Sequence, residues 1–338
     1  MQKYVFWNNK GGTGKTSLAF QTICQYAHEH LDQKVLAVDM CPQANLSELL
    51  LGGLEGNGSN TLIQLQSETN RKTIGGYFQF RMPSPYKPQD FNAADYITNA
   101  SSYNAFVPYN IDVVCGDPLL ELQSNAVSTL ANTQIPGTDT WISIIDWLND
   151  FIKQLEKEYD ILFIDTNPSF SIYTQMAIAS ADRLILPVMA DDSSKRAIQN
   201  AFSLIYGFKL PHPLYAQYAF STKLKAASRS LPKVHLIVKN RLTQYMGAAS
   251  AYYAVLKTIN RIVDELSNQE DLFTKKDHSA LFVDVRDFQT TGVVSFARGC
   301  PFFELQSRSY SIQGKRIQIK DEYRENCISA IKSIVDKL

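Results

Sequence analysis

The chain has 338 residues, 45% hydrophobic and 20% charged, a balance that supports a sizeable core and excludes wholesale disorder or a collagen-like repeat. Its 33 Lys and Arg match 33 Asp and Glu, so the formal net charge is zero and a surface that is polyanion-binding all over is excluded. Five scattered cysteines (Cys24, Cys41, Cys115, Cys300 and Cys327) contain no CxxC pair, which argues against a disulfide framework, a zinc site or an iron–sulfur cradle and for reduced thiols in a cytoplasm.

In chain order, the segment before a glycine-rich loop at residue 10 leaves no room for a signal peptide. No apolar run reaches the roughly 18 residues a membrane-spanning helix needs, so the expectation is a soluble, cytoplasmic protein. Short apolar runs recur at YVFW (4–7), VLAVD (35–39), IDVV (111–114), ILFID (161–165), RLILPV (183–188), VHLIVKN (234–240) and ALFVDV (280–285). Continuous runs of this kind predict buried parallel strands. Between the first two, Ala19, Ile23 and Ala27 recur at i+4 spacing in TSLAFQTICQYAHEHL (16–31) and predict a helix with one buried stripe. The alternation predicts a single α/β domain, a doubly wound, mostly parallel sheet of seven or eight strands flanked by helices. Residues 52–110 break the rhythm with Gly, Pro, Asn, Ser and aromatics. They are expected to form an inserted segment over the surface, with a partner-recognition surface as the sharper alternative.

The strongest local signal is Asn8-Asn9-Lys10-Gly11-Gly12-Thr13-Gly14-Lys15-Thr16-Ser17, directly after the first strand and opening the first helix. Glycines let backbone N–H groups curl around phosphate oxygens, Lys15 reaches the β- and γ-phosphates, and the Thr16 hydroxyl suits Mg²⁺. The helix N-terminus adds partial positive charge. Asn9 stands where the P-loop pattern has its first glycine, and Lys10 adds a second lysine.

Lys-Gly-Gly-Thr-Gly-Lys-Thr resembles the deviant Walker A box of the ParA/MinD group of P-loop ATPases. VLAVDMCPQANLS (35–47) is similar to its switch I, YDILFIDTNPSF (159–170) to its second phosphate motif, and ASADRLILPVMAD (179–191) to the strand that follows. VKNR (238–241) resembles its adenine-reading loop, and RDFQTTGVVSFARGCPFFEL (286–305) its late Gly-x-Pro segment. Pro42-Gln43 after switch I points to the ParA partition branch.

The resemblance implies an ATPase that uses ATP and Mg²⁺ and forms an ATP-sandwich homodimer. Lys10 would cross to the partner's nucleotide, and residues 9–17 would hold the phosphates. Thr16 and Asp165 would sit by the metal, and Asp39 by the metal and the chemistry. Asn240 and Arg241 would read and stack on adenine, with a plain strand-end turn as the alternative. It also implies non-specific DNA, a cargo or adaptor protein, and nucleoid association when ATP is bound. No helix-turn-helix extension precedes residue 1, so operator reading is not expected.

One position departs from the pattern. Where the family's second switch I aspartate orients the attacking water, this chain has Cys41. A neutral thiol is a poor acceptor, so either hydrolysis is slow or Asp39, Gln43 or a residue of the insertion positions the water.

From Ser193 to Val263 there is no Asp or Glu, and 11 Lys and Arg fall within those 71 residues. Such density is the footprint of phosphate-backbone binding, and Lys223, Lys225, Arg229 and Lys233 are its candidate DNA contacts. The alternative is a basic face paired with the acidic remainder of the chain. The last segment (319–338) sets Tyr323, Cys327, Ile331, Ile334 and Leu338 at helical spacing with mixed charge, which predicts a helix packed on its own domain rather than on a membrane. The five histidines lack metal-ligand spacing.

Overall fold

The computed structural model describes residues 1–189, 192–242, 257, 260–261, 263–265, 272–275 and 277–338. Eight strands form the main sheet: β1 (Gln2–Phe6), β2 (Val35–Met40), β3 (Thr98–Asn99), β4 (Ile111–Val114), β5 (Ile161–Thr166), β6 (Arg183–Met189), β7 (Lys233–Leu242) and β8 (Phe282–Arg286). Their order is β3-β4-β2-β5-β1-β6-β7-β8, and every pair is parallel except β3 with β4. A separate hairpin joins β9 (Ser309–Ile312) to β10 (Lys315–Gln318).

The helices are α1 (Lys15–Glu29), α2 (Asn45–Leu50), α3 (Gly58–Ser67), α4 (Ile74–Arg81), α5 (Leu119–Asn132), α6 (Thr140–Ile145), α7 (Trp147–Leu155), α8 (Ile172–Ala179), α9 (Asp192–Tyr206), α10 (Phe220–Ala226), α11 (Gln289–Arg298) and α12 (Asp321–Val335). They cover both faces of the sheet. Successive strand residues point to opposite faces, so Val5 and Trp7 join the core under α4 to α8, while Tyr4 and Phe6 join the one under α1 and α12. That is why the strands read as unbroken apolar runs.

Residues 52–110 do not run over the surface as expected. Ile74, Tyr77, Phe78 and Ala93 belong to one core, and Leu62, Leu65, Ala100 and Val107 to the other. The Tyr77 hydroxyl donates to the Trp147 carbonyl at 2.8 Å, which ties α4 to α7. The apolar side chains outweigh the turn-forming composition because α5 and α7 offer them a surface to cover. Removing a buried ring such as that of Phe78 costs about 3–5 kcal/mol. The C-terminal helix does pack on its own chain, burying Cys327, Ile331 and Ile334. No helix among the described residues is long and apolar enough to cross a membrane.

Candidate phosphate-binding site

At the carboxyl end of β1 the chain turns through residues 8–14 into α1. Gly12 (φ 73°) and Gly14 (φ 81°) adopt the left-handed conformation that only glycine takes without strain, and this turns successive N–H groups toward one side. Two side chains hold the loop. Asn8 donates to the Pro187 carbonyl on β6 at 2.7 Å and accepts from the Lys10 N–H at 3.0 Å. Asn240, at the end of β7, donates to the Thr13 carbonyl at 2.9 Å, so close that a Cβ on Gly14 would lie 2.3 Å from its amide nitrogen.

Lys15 opens α1, nearly buried, with its Nζ donating to the carbonyls of Asn8 (3.4 Å) and Lys10 (3.5 Å). Burial lowers its pKa, and the charge of Asp165 opposes that shift. A cavity of about 400 Å³ opens beside the loop, lined by Gly11, Gly12, Lys15, Thr16 and Ser17 with Cys41, Gln43, Glu121, Asn167 and Arg241. A wider cleft of about 640 Å³, lined by Trp141, Phe170 and Tyr215 among others, holds no glycine loop or acid.

Thr16 donates its hydroxyl to Asp165 Oδ2 at 2.7 Å, while the buried Asp165 Oδ1 has no hydrogen-bond partner among the described residues. Burial first, then the charge of Asp39, pushes the Asp165 carboxyl up to about 7. A hydroxyl beside a carboxylate that is desolvated and half-satisfied is a donor set suited to Mg²⁺ shared with phosphate oxygens. Among the described residues no group of three His, Cys, Asp or Glu side chains is placed to hold a metal ion on its own.

Asp39, like Asp165, is closed to solvent and outside the cavity lining, but both its oxygens are engaged. Oδ1 accepts from the Cys41 N–H (3.0 Å), and Oδ2 accepts from the N–H (2.9 Å) and hydroxyl (2.8 Å) of Ser47. It clasps the turn after β2, although burial still raises its pKa to about 6. Cys41, by contrast, does line the cavity, and burial followed by the charge of Asp39 pushes its thiol up to about 12, which keeps it neutral.

Arg241 is exposed at the cavity rim, with φ 58°, and Asn240 is buried against the loop. Asn240 thus holds Thr13, with its amide Nδ2 directed at the loop backbone. Lys10 is half-buried and is not among the residues that line the cavity.

The acid-free region, part of which lies outside the described residues, is not a uniform bare cationic face. Arg229 pairs with Asp146, and Lys223 sits 4.8 Å over the Trp141 ring, half-buried, with its pKa lowered by desolvation. Lys209 and Arg261 both reach Glu265 (3.9 and 3.6 Å), and Lys239 is buried beside Asp284 at 3.8 Å. Of the four candidate DNA contacts, Lys225 is exposed, while Lys223, Arg229 and Lys233 are half-buried. His235 is a packing residue between Thr274 and the Lys337 carbonyl, and burial takes its pKa down to about 4.

Sequence reasoning missed Asn8 as a loop staple and Glu121 on the cavity wall. Asp117-Pro118 signals a helix start, but nothing local says that this helix begins beside the loop.

A family model described as an AAA domain matches residues 1–210. The cell division protein PomZ of Myxococcus xanthus is 25% identical over 237 residues, 68% of this chain and 61% of PomZ. The virulence plasmid ParA family protein pGP5-D of Chlamydia muridarum is 24% identical over 208 residues, 59% of each chain. The chain thus spans about three-fifths of the length of these relatives. Among solved structures, apo McdA from Cyanothece superposes with a TM-score of 0.62 at 14% identity, covering 99% of both chains. A putative plasmid partition protein from Borrelia burgdorferi, bound to AMPPNP, gives 0.56 at 16% identity over 100% of both. At such identities these two likenesses are of fold. With the match over residues 1–210 and the ParA-family relatives, the chain belongs to the ParA/MinD family of P-loop ATPases.

Proposed function

We propose that the protein is a ParA-like ATPase that dimerises on ATP, binds DNA without sequence preference, and positions or partitions a DNA or protein cargo through a partner protein. It would act in the cytoplasm and over the nucleoid. The observation that carries this proposal is the glycine cradle at residues 11–14, which meets Lys15 and Thr16 at one cavity, with the half-satisfied Asp165 buried behind the Thr16 hydroxyl. The relatives' names, a cell division protein and plasmid proteins, support a positioning role.

In this proposal the loop N–H groups and Lys15 bind the phosphates, and Thr16 with Asp165 holds Mg²⁺, which neutralises charge on the transferring phosphoryl group. Arg241 lies at the rim where a base would stack. Lys10, the second lysine of a deviant Walker A loop, would touch the partner's nucleotide. Hydrolysis would be slow, because the neutral Cys41 thiol cannot orient water as a carboxylate does. The pairing of Arg229 and the ring contact of Lys223 favour one alternative, an ATP-gated scaffold with little turnover that acts on a protein partner.

Sedimentation with ATP·Mg²⁺ and a low-salt DNA-binding assay test the proposal. The wild type should dimerise and bind DNA only with ATP. Lys10→Ala should bind ATP yet stay monomeric, and Lys15→Ala should lose nucleotide. If both variants dimerise like wild type the sandwich dimer is wrong, and if a dimer ignores DNA the scaffold takes first place.

A further inference from the structure

The cavity beside the phosphate loop has one acidic side chain among its described lining residues, and it is neither switch I nor the second phosphate motif that supplies it. It is Glu121, in the first turn of α5. Glu121 is exposed, and its side chain makes no hydrogen bond or ion pair among the described residues.

Its place is fixed from behind. The fully buried Asp117 accepts the Leu119 N–H at 2.9 Å, so it anchors the start of α5. The same carboxylate takes Arg71 through Nε (2.6 Å) and Nη2 (3.2 Å), and the Thr73 hydroxyl at 2.5 Å. The turn before α5 also abuts switch I. The Gly116 N–H donates to Ser47 Oγ at 2.9 Å, and a Cβ on Gly116 would lie 2.7 Å from the Cys41 carbonyl. Residues Arg71 and Thr73, from the segment that sequence composition assigned to the surface, therefore hold Asp117 at the start of the helix whose Glu121 lines the same cavity as Cys41.

We propose that Glu121 is the catalytic carboxylate that orients and deprotonates the attacking water, in place of the acid that position 41 lacks. This rests on the nucleotide-hydrolysis proposal above. As a water O–H bond breaks, its proton passes to the Glu121 carboxylate and the oxygen bonds to the γ-phosphorus. The bond from that phosphorus to the bridging oxygen breaks, ADP leaves with the electron pair, and the proton returns from Glu121 to inorganic phosphate. A carboxylate facing a phosphate chain repels it, so a residue kept there for binding alone would be misplaced. Holding water gives it a use.

The experiment uses the full chain, with single-turnover phosphate release from ATP·Mg²⁺ and, separately, equilibrium affinity for a non-hydrolysable ATP analogue. Glu121→Gln should cut phosphate release by about 10²-fold or more. Analogue affinity should stay equal or tighten a few-fold, because the opposing charge is gone. Cys41→Asp should restore release to Glu121→Gln by a much larger factor than it raises the wild type, whereas a merely structural role for Glu121 predicts equal gains in both backgrounds. Wild-type release from Glu121→Gln at unchanged affinity overturns the inference. So does joint loss of release and analogue binding, or failure of Cys41→Asp to rescue. A wild type that binds analogue but releases no phosphate also overturns it, while leaving the binding site standing. A wild type that binds no analogue takes the nucleotide site down with it.

Discussion

Asp39 and Asp165 are register partners on the adjacent strands β2 and β5, both closed to solvent, yet they are satisfied unequally. Asp39 has both oxygens filled by the turn after β2, whereas Asp165 takes only the Thr16 hydroxyl and leaves Oδ1 open. Each charge raises the cost of the other. One member shapes the turn after β2, and the other keeps an oxygen open for the cation proposed above.

That inequality has a pH signature. The Asp165 carboxyl is raised from 3.8 to about 7, so the folded protein holds a proton that the unfolded chain has released. Stability of the nucleotide-free protein should therefore fall as pH rises from about 4 to 7. Asp165→Asn carries no such proton and should show a shallower fall of melting temperature across that window, the remainder coming from Asp39, while losing Mg²⁺-dependent nucleotide binding. Thermal melts from pH 5 to 8 check this, and parallel wild-type and variant curves would refute it.

Gly14→Ala should weaken nucleotide binding at least about tenfold. A side chain at φ 81° is strained by about 1–2 kcal/mol, and its Cβ would also meet the Asn240 amide. Adding Asn240→Ala removes the clash but not the strain, so the double variant should recover only part of the loss. Titration with a fluorescent ATP analogue gives the answer, and unchanged affinity in Gly14→Ala would contradict the loop geometry.

A water-positioning group is worth about 10²–10⁴-fold in rate, so Cys41→Asp should raise ATP turnover by that order in Glu121→Gln and by less in wild type, where Glu121 already acts. Cys41→Ser keeps a small polar side chain without a carboxylate and should leave the rate low. The new acid sits near Asp39 and Asp165, so nucleotide affinity must be followed alongside. Brisk wild-type turnover lost in Asp39→Ala, with Cys41→Ser neutral, would assign the role to Asp39.

Charge reversals in the basic region should separate into two classes. Lys225→Glu, at an exposed site, should weaken DNA binding evenly across sequences and flatten the salt slope by about one. Arg229→Glu sets a like charge against Asp146 and should lower the melting temperature as well. An unchanged melting temperature in Arg229→Glu by calorimetry would mean that the Arg229–Asp146 pair contributes nothing.

The strand IDVV (111–114), the phosphate loop and its helix were legible because each is a local pattern: an apolar run, a glycine spacing, a stripe at i+4. Two-residue β3 was not, since so short a strand exists only by pairing with β4. The same limit explains residues 52–110. Pro, Asn and Ser look alike in a surface loop and in a connection between buried helices, and only α5 and α7 as neighbours decide that Tyr77 and Phe78 go inside.

Composition and order along the chain thus determined the α/β sheet, the phosphate loop and an excess of positive charge between residues 193 and 263. Tertiary structure decided which charges meet. It paired Arg229 with Asp146, turned Asp39 inward to Ser47, set Asn240 on Thr13 across 227 residues of sequence, and brought Glu121 to the cavity. Propensity and periodicity act over a few residues and are written locally. Electrostatic and hydrogen-bond partners depend on distances of a few ångströms between segments far apart in the chain, and only folding fixes those distances.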